Sequence, residues 1–178
     1  MTLHVDPHER DAAVDAMRRE LSSDPFGLDL TVGGAGDARW IQLPPASGAD
    51  YRWSFWFYTN GERHIYATAW PEAADATGDD AVIWYHPFEL EDYDRSTLEL
   101  EAAFRAEAQR LLRTNTRIRS KRLLVNWSVD LEESSDGVRW KRVYGFRAWR
   151  GGWPIARRHA EGNVLRSPPL IRGIANAR

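Results

Sequence analysis

The sequence predicts an α+β fold: an antiparallel, tryptophan-rich sheet of about six to seven strands, packed with two main helices near residues 7–21 and 97–113. Three observations predict it. Stretches of aromatic and β-branched residues recur with turn residues between them. Two segments carry apolar residues at helical spacing instead. The strands follow one another as hairpins and do not alternate with helices, so nothing asks for a parallel sheet.

The elements justify themselves in chain order. Asp6 and Pro7 suit an N-cap and a first helical position. Ala13, Val14, Met17 and Leu21 then mark one face of the first helix. Residues 26–32 and 38–43 read as short strands around a glycine-rich turn at 33–37. Residues 51–58, Tyr-Arg-Trp-Ser-Phe-Trp-Phe-Tyr, are the strongest strand signal. Asn60-Gly61 is a favoured two-residue hairpin turn, with residues 63–70 as the return strand. That turn would place Trp53, Phe55, Phe57, His64, Tyr66, Thr68 and Trp70 on one face. Residues 81–86 read as another strand, stopped by Pro87.

Ser96 and Glu99 form a capping box ahead of Leu100, Phe104, Ala108, Leu111 and Leu112, which share a face of the second helix. Two long strands follow, one alternating through Leu123, Val125, Trp127, Val129 and Leu131. The other runs from about Val138 to Ala148, past a break at 134–137. Residues 1–150 read as a single α+β domain, and 151–178 as an irregular C-terminal arm containing arginine and proline.

Length and composition bound the function. A chain of 178 residues can bury roughly 70% of its unfolded surface, so it needs no disulfide or metal to fold. It has no cysteine, which excludes thiolate zinc sites and cysteine nucleophiles. The N-terminus lacks the basic and apolar regions of a signal peptide, and no apolar run approaches the ~20 residues of a membrane span. The expectation is a soluble, cytoplasmic protein with no membrane contact.

Charge is unevenly placed. Residues 113–178 hold 15 basic and 5 acidic residues, whereas 1–112 hold 9 and 21. Such asymmetry points to two surfaces with different partners, or to two regions that attract each other.

Motifs for catalysis are missing. The glycines at 33, 34 and 36 precede a strand, not the helix N-terminus that a phosphate loop requires. His4 and His8 have metal-ligand spacing, but Pro7 separates them at a helix start. His64 and His86, with Glu62 and Glu89, are the sole acid–base set, and nothing in the sequence fixes their separation. No catalytic residue, metal ligand or cofactor is therefore assigned.

The remaining features point to binding. Nine tryptophans and a polarised charge suit a non-catalytic protein-binding module or assembly subunit, of which a toxin-neutralising immunity protein is one instance. Its partner residues would be Asp79, Asp80, Glu91 and Asp92, facing a basic partner, with Trp153 of the arm as an anchor. A second reading is nucleic-acid binding, with Arg117, Arg119, Lys121, Arg139 and Lys141 as phosphate contacts. The acidic overall balance of the chain argues against a dedicated nucleic-acid protein. A third is a small-ligand binder or enzyme whose pocket is lined by Trp53, His64, Tyr66 and Trp70.

Overall fold

The computed structural model describes residues 3–23, 26–61, 65–71, 83–87, 96–122, 126–149 and 164–170. It has the expected α+β architecture, with two helices and antiparallel sheets. The chain divides into two compact units. The first comprises Met1–Pro44, Trp53–Thr68 and Trp84–Arg110; the second comprises Pro45–Arg52, Ala69–Ile83 and Leu111–Arg178.

In the first unit, β1 (Leu3–His4) leads into α1 (Pro7–Ser22). Asp6 caps α1 by accepting the His8 N–H at 2.7 Å, and Pro7 occupies the first turn, where its missing N–H costs nothing. The four apolar residues predicted to face inward are buried, and Arg10 is buried with them. Its guanidinium donates to the Asp37 carbonyl at 2.9 Å and to Asp11 Oδ1 at 2.9 Å, so the charge enters the interior already paired.

β2 (Thr31–Ala35) and β3 (Ala38–Gln42) form a hairpin closed by Gly36 and Asp37. The turn is shorter than the 33–37 segment expected from the glycines. Gly36 alone has a positive φ there, 58°. Gly33 is a strand residue for a different reason: a Cβ at that position would lie 2.2 Å from the Trp40 indole. The missing side chain lets the ring rest on the β2 backbone.

β4 (Tyr51–Tyr58) pairs with β3, setting Trp40 opposite Trp56 and Ile41 opposite Phe55. Asn60-Gly61 does not make the expected two-residue hairpin turn. These residues form β5, paired with β1 through Leu3–Gly61 and His4–Asn60, and the His4 Nδ1 lies 2.7 Å from Asn60 Oδ1. The chain returns as β6 (Ile65–Pro71), followed by β7 (Ile83–Tyr85), giving the five-stranded order β2-β3-β4-β6-β7.

α2 (Thr97–Arg113) starts where the capping box predicted: Glu99 Oε2 accepts the Ser96 N–H at 2.9 Å. Its Phe104 meets Phe55 and Phe57 edge-on, at centroid distances of 5.6 and 5.9 Å. The odd-numbered residues Phe55 and Phe57 therefore face α2. Tyr85 donates to Glu107 on the same helix, and the Arg110 Nε lies 2.7 Å from Glu107 Oε2. Burial works to raise the Glu107 carboxyl, but the hydrogen bonds from Arg110 and Tyr85 hold it below the usual range.

The second unit contains β8 (Asn115–Arg122), β9 (Asn126–Ser134), β10 (Lys141–Trp149) and β11 (Val164–Ser167). All pairings are antiparallel, in the order β10-β9-β8-β11. β8 begins directly after α2 and was not foreseen as a full strand. Its inward positions are Thr116, Ile118 and Ser120, all buried, and only one of them is apolar. The buried Tyr51 hydroxyl lies 2.6 Å from Thr116 Oγ1, and burial pushes that phenol above its ordinary range.

Residues 134–137 end β9 as expected. Asp136 Oδ1 accepts the N–H groups of Val138 and Arg139, both at 2.8 Å, which hold its carboxyl below the usual range. A bulge between Arg142 and Tyr144 then shifts the alternation of β10. β11 lies within the segment read as a C-terminal arm. Asp50 clamps it, donating its N–H to the Arg166 carbonyl at 2.7 Å and accepting the Arg166 N–H at 2.8 Å.

Candidate functional site

Two sheet faces concentrate the chemistry, one in each unit. In the first unit, the face of the five-stranded sheet turned away from Phe104 carries a ladder of aromatic rings. Trp40 stacks on Trp56 at 5.2 Å, Trp56 on Tyr66 at 6.3 Å, and Tyr66 meets Trp84 at 5.0 Å. Tyr58 lies beside Tyr66 at 5.5 Å, and their hydroxyls are hydrogen-bonded at 2.8 Å. The Trp56 indole N–H donates to Thr68 Oγ1 at 2.9 Å.

These distances fix how the rings stand. Near-parallel rings lying flat, side by side, cannot bring their centroids to 5.0–5.5 Å without overlapping atoms. Neighbouring rings therefore overlap in part and do not lie coplanar side by side. The Trp40 end of the row is closed by the backbone of Gly33. An aromatic edge carries partial positive charge, and the face negative. The row consequently presents half-buried indole rings together with the Tyr58 ring and hydroxyl.

Trp40, Trp56, Tyr58 and Trp84 are half-buried, and Tyr66 is buried. Burial, with the Tyr58 hydroxyl beside it, pushes the Tyr66 hydroxyl far above its ordinary range, so it stays a neutral donor. Among the described residues, the Ser54 hydroxyl and the Trp84 indole N–H, both buried, find no hydrogen-bond partner.

The faces of β6 are exchanged relative to the two-residue-turn expectation. Tyr66 and Thr68 join Trp56 and Tyr58, where the turn would have set them beside Phe55 and Phe57. A slip by any odd number of residues exchanges the two faces of a strand, and here it accompanies the pairing of β5 with β1 in place of a turn at Asn60-Gly61. Trp53 consequently lies on the Phe55 side of β4, 4% exposed, whereas Tyr66 lies on the other side. Trp70 shares the alternation of Tyr66 and is also buried. The proposed ligand-lining residues Trp53 and Tyr66 are not brought together, and His64 lies outside the described residues.

In the second unit, the polar face of the four-stranded sheet carries charges in register. Arg117 sits opposite Glu132, and Arg119 opposite Asp130. Arg117 Nε reaches Glu132 Oε2 at 2.5 Å. Asp130 takes Arg142 at 2.8 Å and Lys121 at 3.7 Å. Both acids are buried, at 6% and 9% exposure, and their cationic partners supply the compensation that buried charge demands. A Cβ on Gly145 would strike the Arg142 guanidinium at 2.1 Å, so the pair with Asp130 passes directly over this glycine. Arg117 also lies 4.2 Å above the Trp140 ring.

Of the five predicted phosphate contacts, Arg117, Arg119 and Lys121 share this face. Arg139 is exposed in the β9–β10 loop. Lys141 is exposed opposite Glu133, on the other side of the alternation. Arg142 takes the place expected of Lys141, because the bulge that follows it reverses the face pattern. The proposed partner residues Asp79, Asp80, Glu91, Asp92 and Trp153 lie outside the described residues.

Among the described residues, no group of three metal-ligating side chains comes together, and no helix is long and apolar enough to cross a membrane. Comparison of the chain with protein-family models, curated proteins and solved structures finds no match.

Proposed function

We propose that this protein is a non-catalytic binding module, with the aromatic face of its five-stranded sheet as the surface that holds a protein partner. The observation that carries the reading is the half-buried row of mutually contacting rings from Trp40 to Trp84. A large aromatic surface of this kind is rare in soluble monomers without a use. Half-buried aromatic rings with polar indole and phenol groups favour aliphatic and hydrogen-bonding groups side by side, which a polypeptide supplies. The outward rings are also tied to each other by stacking and hydrogen bonds, so little side-chain entropy is lost when a partner arrives. The acidic residues Asp79, Asp80, Glu91 and Asp92 would add steering toward a basic rim on that partner.

The test is affinity capture of the tagged full chain from its native lysate after nuclease treatment. Wild type is compared with Tyr58→Ala and Trp84→Ala, and with Asp79, Asp80, Glu91 and Asp92 changed together to Ser. A stoichiometric partner lost from the two aromatic variants, with their melting still cooperative, supports the reading. A partner retained by both excludes this face. Loss from the serine variant alone moves the interface to those four acidic residues.

A further inference from the structure

The polar face of the four-stranded sheet carries more cations than its own acids neutralise. β8 sends Arg117, Arg119 and Lys121 to that face at two-residue intervals, about 7 Å apart. Glu132 engages Arg117, and Asp130 engages Lys121 and Arg142. Among the described residues, Arg119 and Arg166 have no ion pair.

The register makes this surplus informative. β11 sets Arg166 directly opposite Arg117, with Arg119 one diagonal step away. Like charges facing each other across a ladder destabilise a sheet. Arg117 is already committed to Glu132 and lies over Trp140, so it is not free to relieve the contact. The backbone of Arg166 is clamped on both sides by Asp50, so β11 is not free to slide away. A cluster of guanidinium groups held together against its own repulsion is poised for an anion, and their planar forks match phosphate oxygens.

We propose that this face binds the phosphate backbone of a single-stranded nucleic acid. Arg119 and Arg166 make the direct phosphate contacts, Lys121 and Arg142 flank them, and Trp140, held by Arg117 on one ring face, offers the other to a base. Three features favour this polymer. Charge recurs at regular intervals along β8, as phosphates recur along a strand. An aromatic ring stands within the basic row, where an unpaired base can stack. And residues 113–178 carry basic over acidic residues three to one, although the whole chain is slightly acidic. The inference stands apart from the aromatic face of the other sheet and does not need it.

The test measures anisotropy of labelled oligothymidine and oligouridine, about 20 nucleotides long, at 50 and 200 mM salt. The comparators are a duplex of equal length and polyglutamate. The expected result is single-strand binding with a steep salt dependence. In Arg119→Gln/Arg166→Gln, Kd should rise at least about tenfold, and the slope of log K against log salt should flatten by about 1.4, the share of two phosphate contacts. The charge-matched Arg18→Gln/Arg19→Gln, on α1, should leave both unchanged. Arg119→Lys, which keeps the charge but loses the fork, should fall between wild type and the double variant. Absence of binding at 50 mM salt, an unchanged slope in a double variant that melts like wild type, or equally tight polyglutamate binding would each overturn the proposal. Tighter duplex binding would overturn the single-strand assignment.

Discussion

The two sheets solve the same problem in opposite ways. Each has a second face that apolar residues do not simply fill. The five-stranded sheet furnishes that face with rings stacked from β3 to β7, and the four-stranded sheet with ion pairs arranged around Asp130 and Glu132. Ring stacking tolerates small displacements and is indifferent to salt. Ion pairs around a buried carboxylate demand their geometry, and their solvent-exposed members respond to ionic strength. The difference teaches that a tryptophan-rich sheet and an arginine-rich sheet can both order a non-aliphatic face while differing in what disturbs them.

Four perturbations would break or sharpen that contrast. The largest effect is expected from Trp56→Ala, which removes the middle ring and leaves Thr68 without its indole donor. It should cost about 3 kcal/mol in urea unfolding, by the same amount at low and high salt. Asp130→Ala should cost about 2 kcal/mol, less than for a fully enclosed pair, because Arg142 and Lys121 can turn toward water. Its cost should shrink when unfolding is repeated in 0.5 M salt. If both variants respond alike to salt, the contrast fails.

Gly33→Ala tests the closed end of the ring row. The new methyl meets the Trp40 ring, so the ring must shift, at about 2 kcal/mol, with a changed near-ultraviolet circular dichroism band from the Trp40–Trp56 pair. The smallest effect concerns Glu101 on α2. Burial, with Glu9 adding repulsion and Arg105 opposing, pushes its carboxyl up to about 7. A carboxyl raised on folding stabilises while protonated, and that contribution disappears as pH rises from about 4.5 through 7. Glu101→Gln should therefore raise stability at pH 8 by about 1 kcal/mol, after allowance for solvent screening at this half-buried site. It should change little at pH 4. An equal gain at both pH values would separate the effect from ionisation.

Much of this frame was legible from the residues. α2 and β4 were bounded by strong local signals, a capping box and an unbroken aromatic run, and α1 by its cap and its helical spacing. The face assignment of the β4–β6 pair was not legible. It depended on whether Asn60-Gly61 closes a turn, and the competing partner was Leu3–His4, more than fifty residues upstream. β8 was hard to see because its buried side holds Thr116 and Ser120, whose polar groups are recognisable as inward-facing only once Tyr51 and the neighbouring strands are in place. The arginines of β8 were picked out by charge alone, but their pairing with Asp130 and Glu132 required the register. Buried Arg10 gave no signal beyond its place on the apolar side of α1.

The pairing of β11 with β8 has a consequence for how the chain is made. Val164 pairs with Arg119, forty-five residues earlier, so during synthesis β8 spends a long interval with one edge open before its neighbour emerges. An open strand edge is a template for pairing with other nascent chains. Arg119, without an acidic partner among the described residues, sits beside that edge between Arg117 and Lys121, whose β9 acids do not offset all the positive charge of this face, so two identical edges repel one another. Positive charge on β8 thus disfavours edge-to-edge pairing of two nascent chains in the interval before β11 is made.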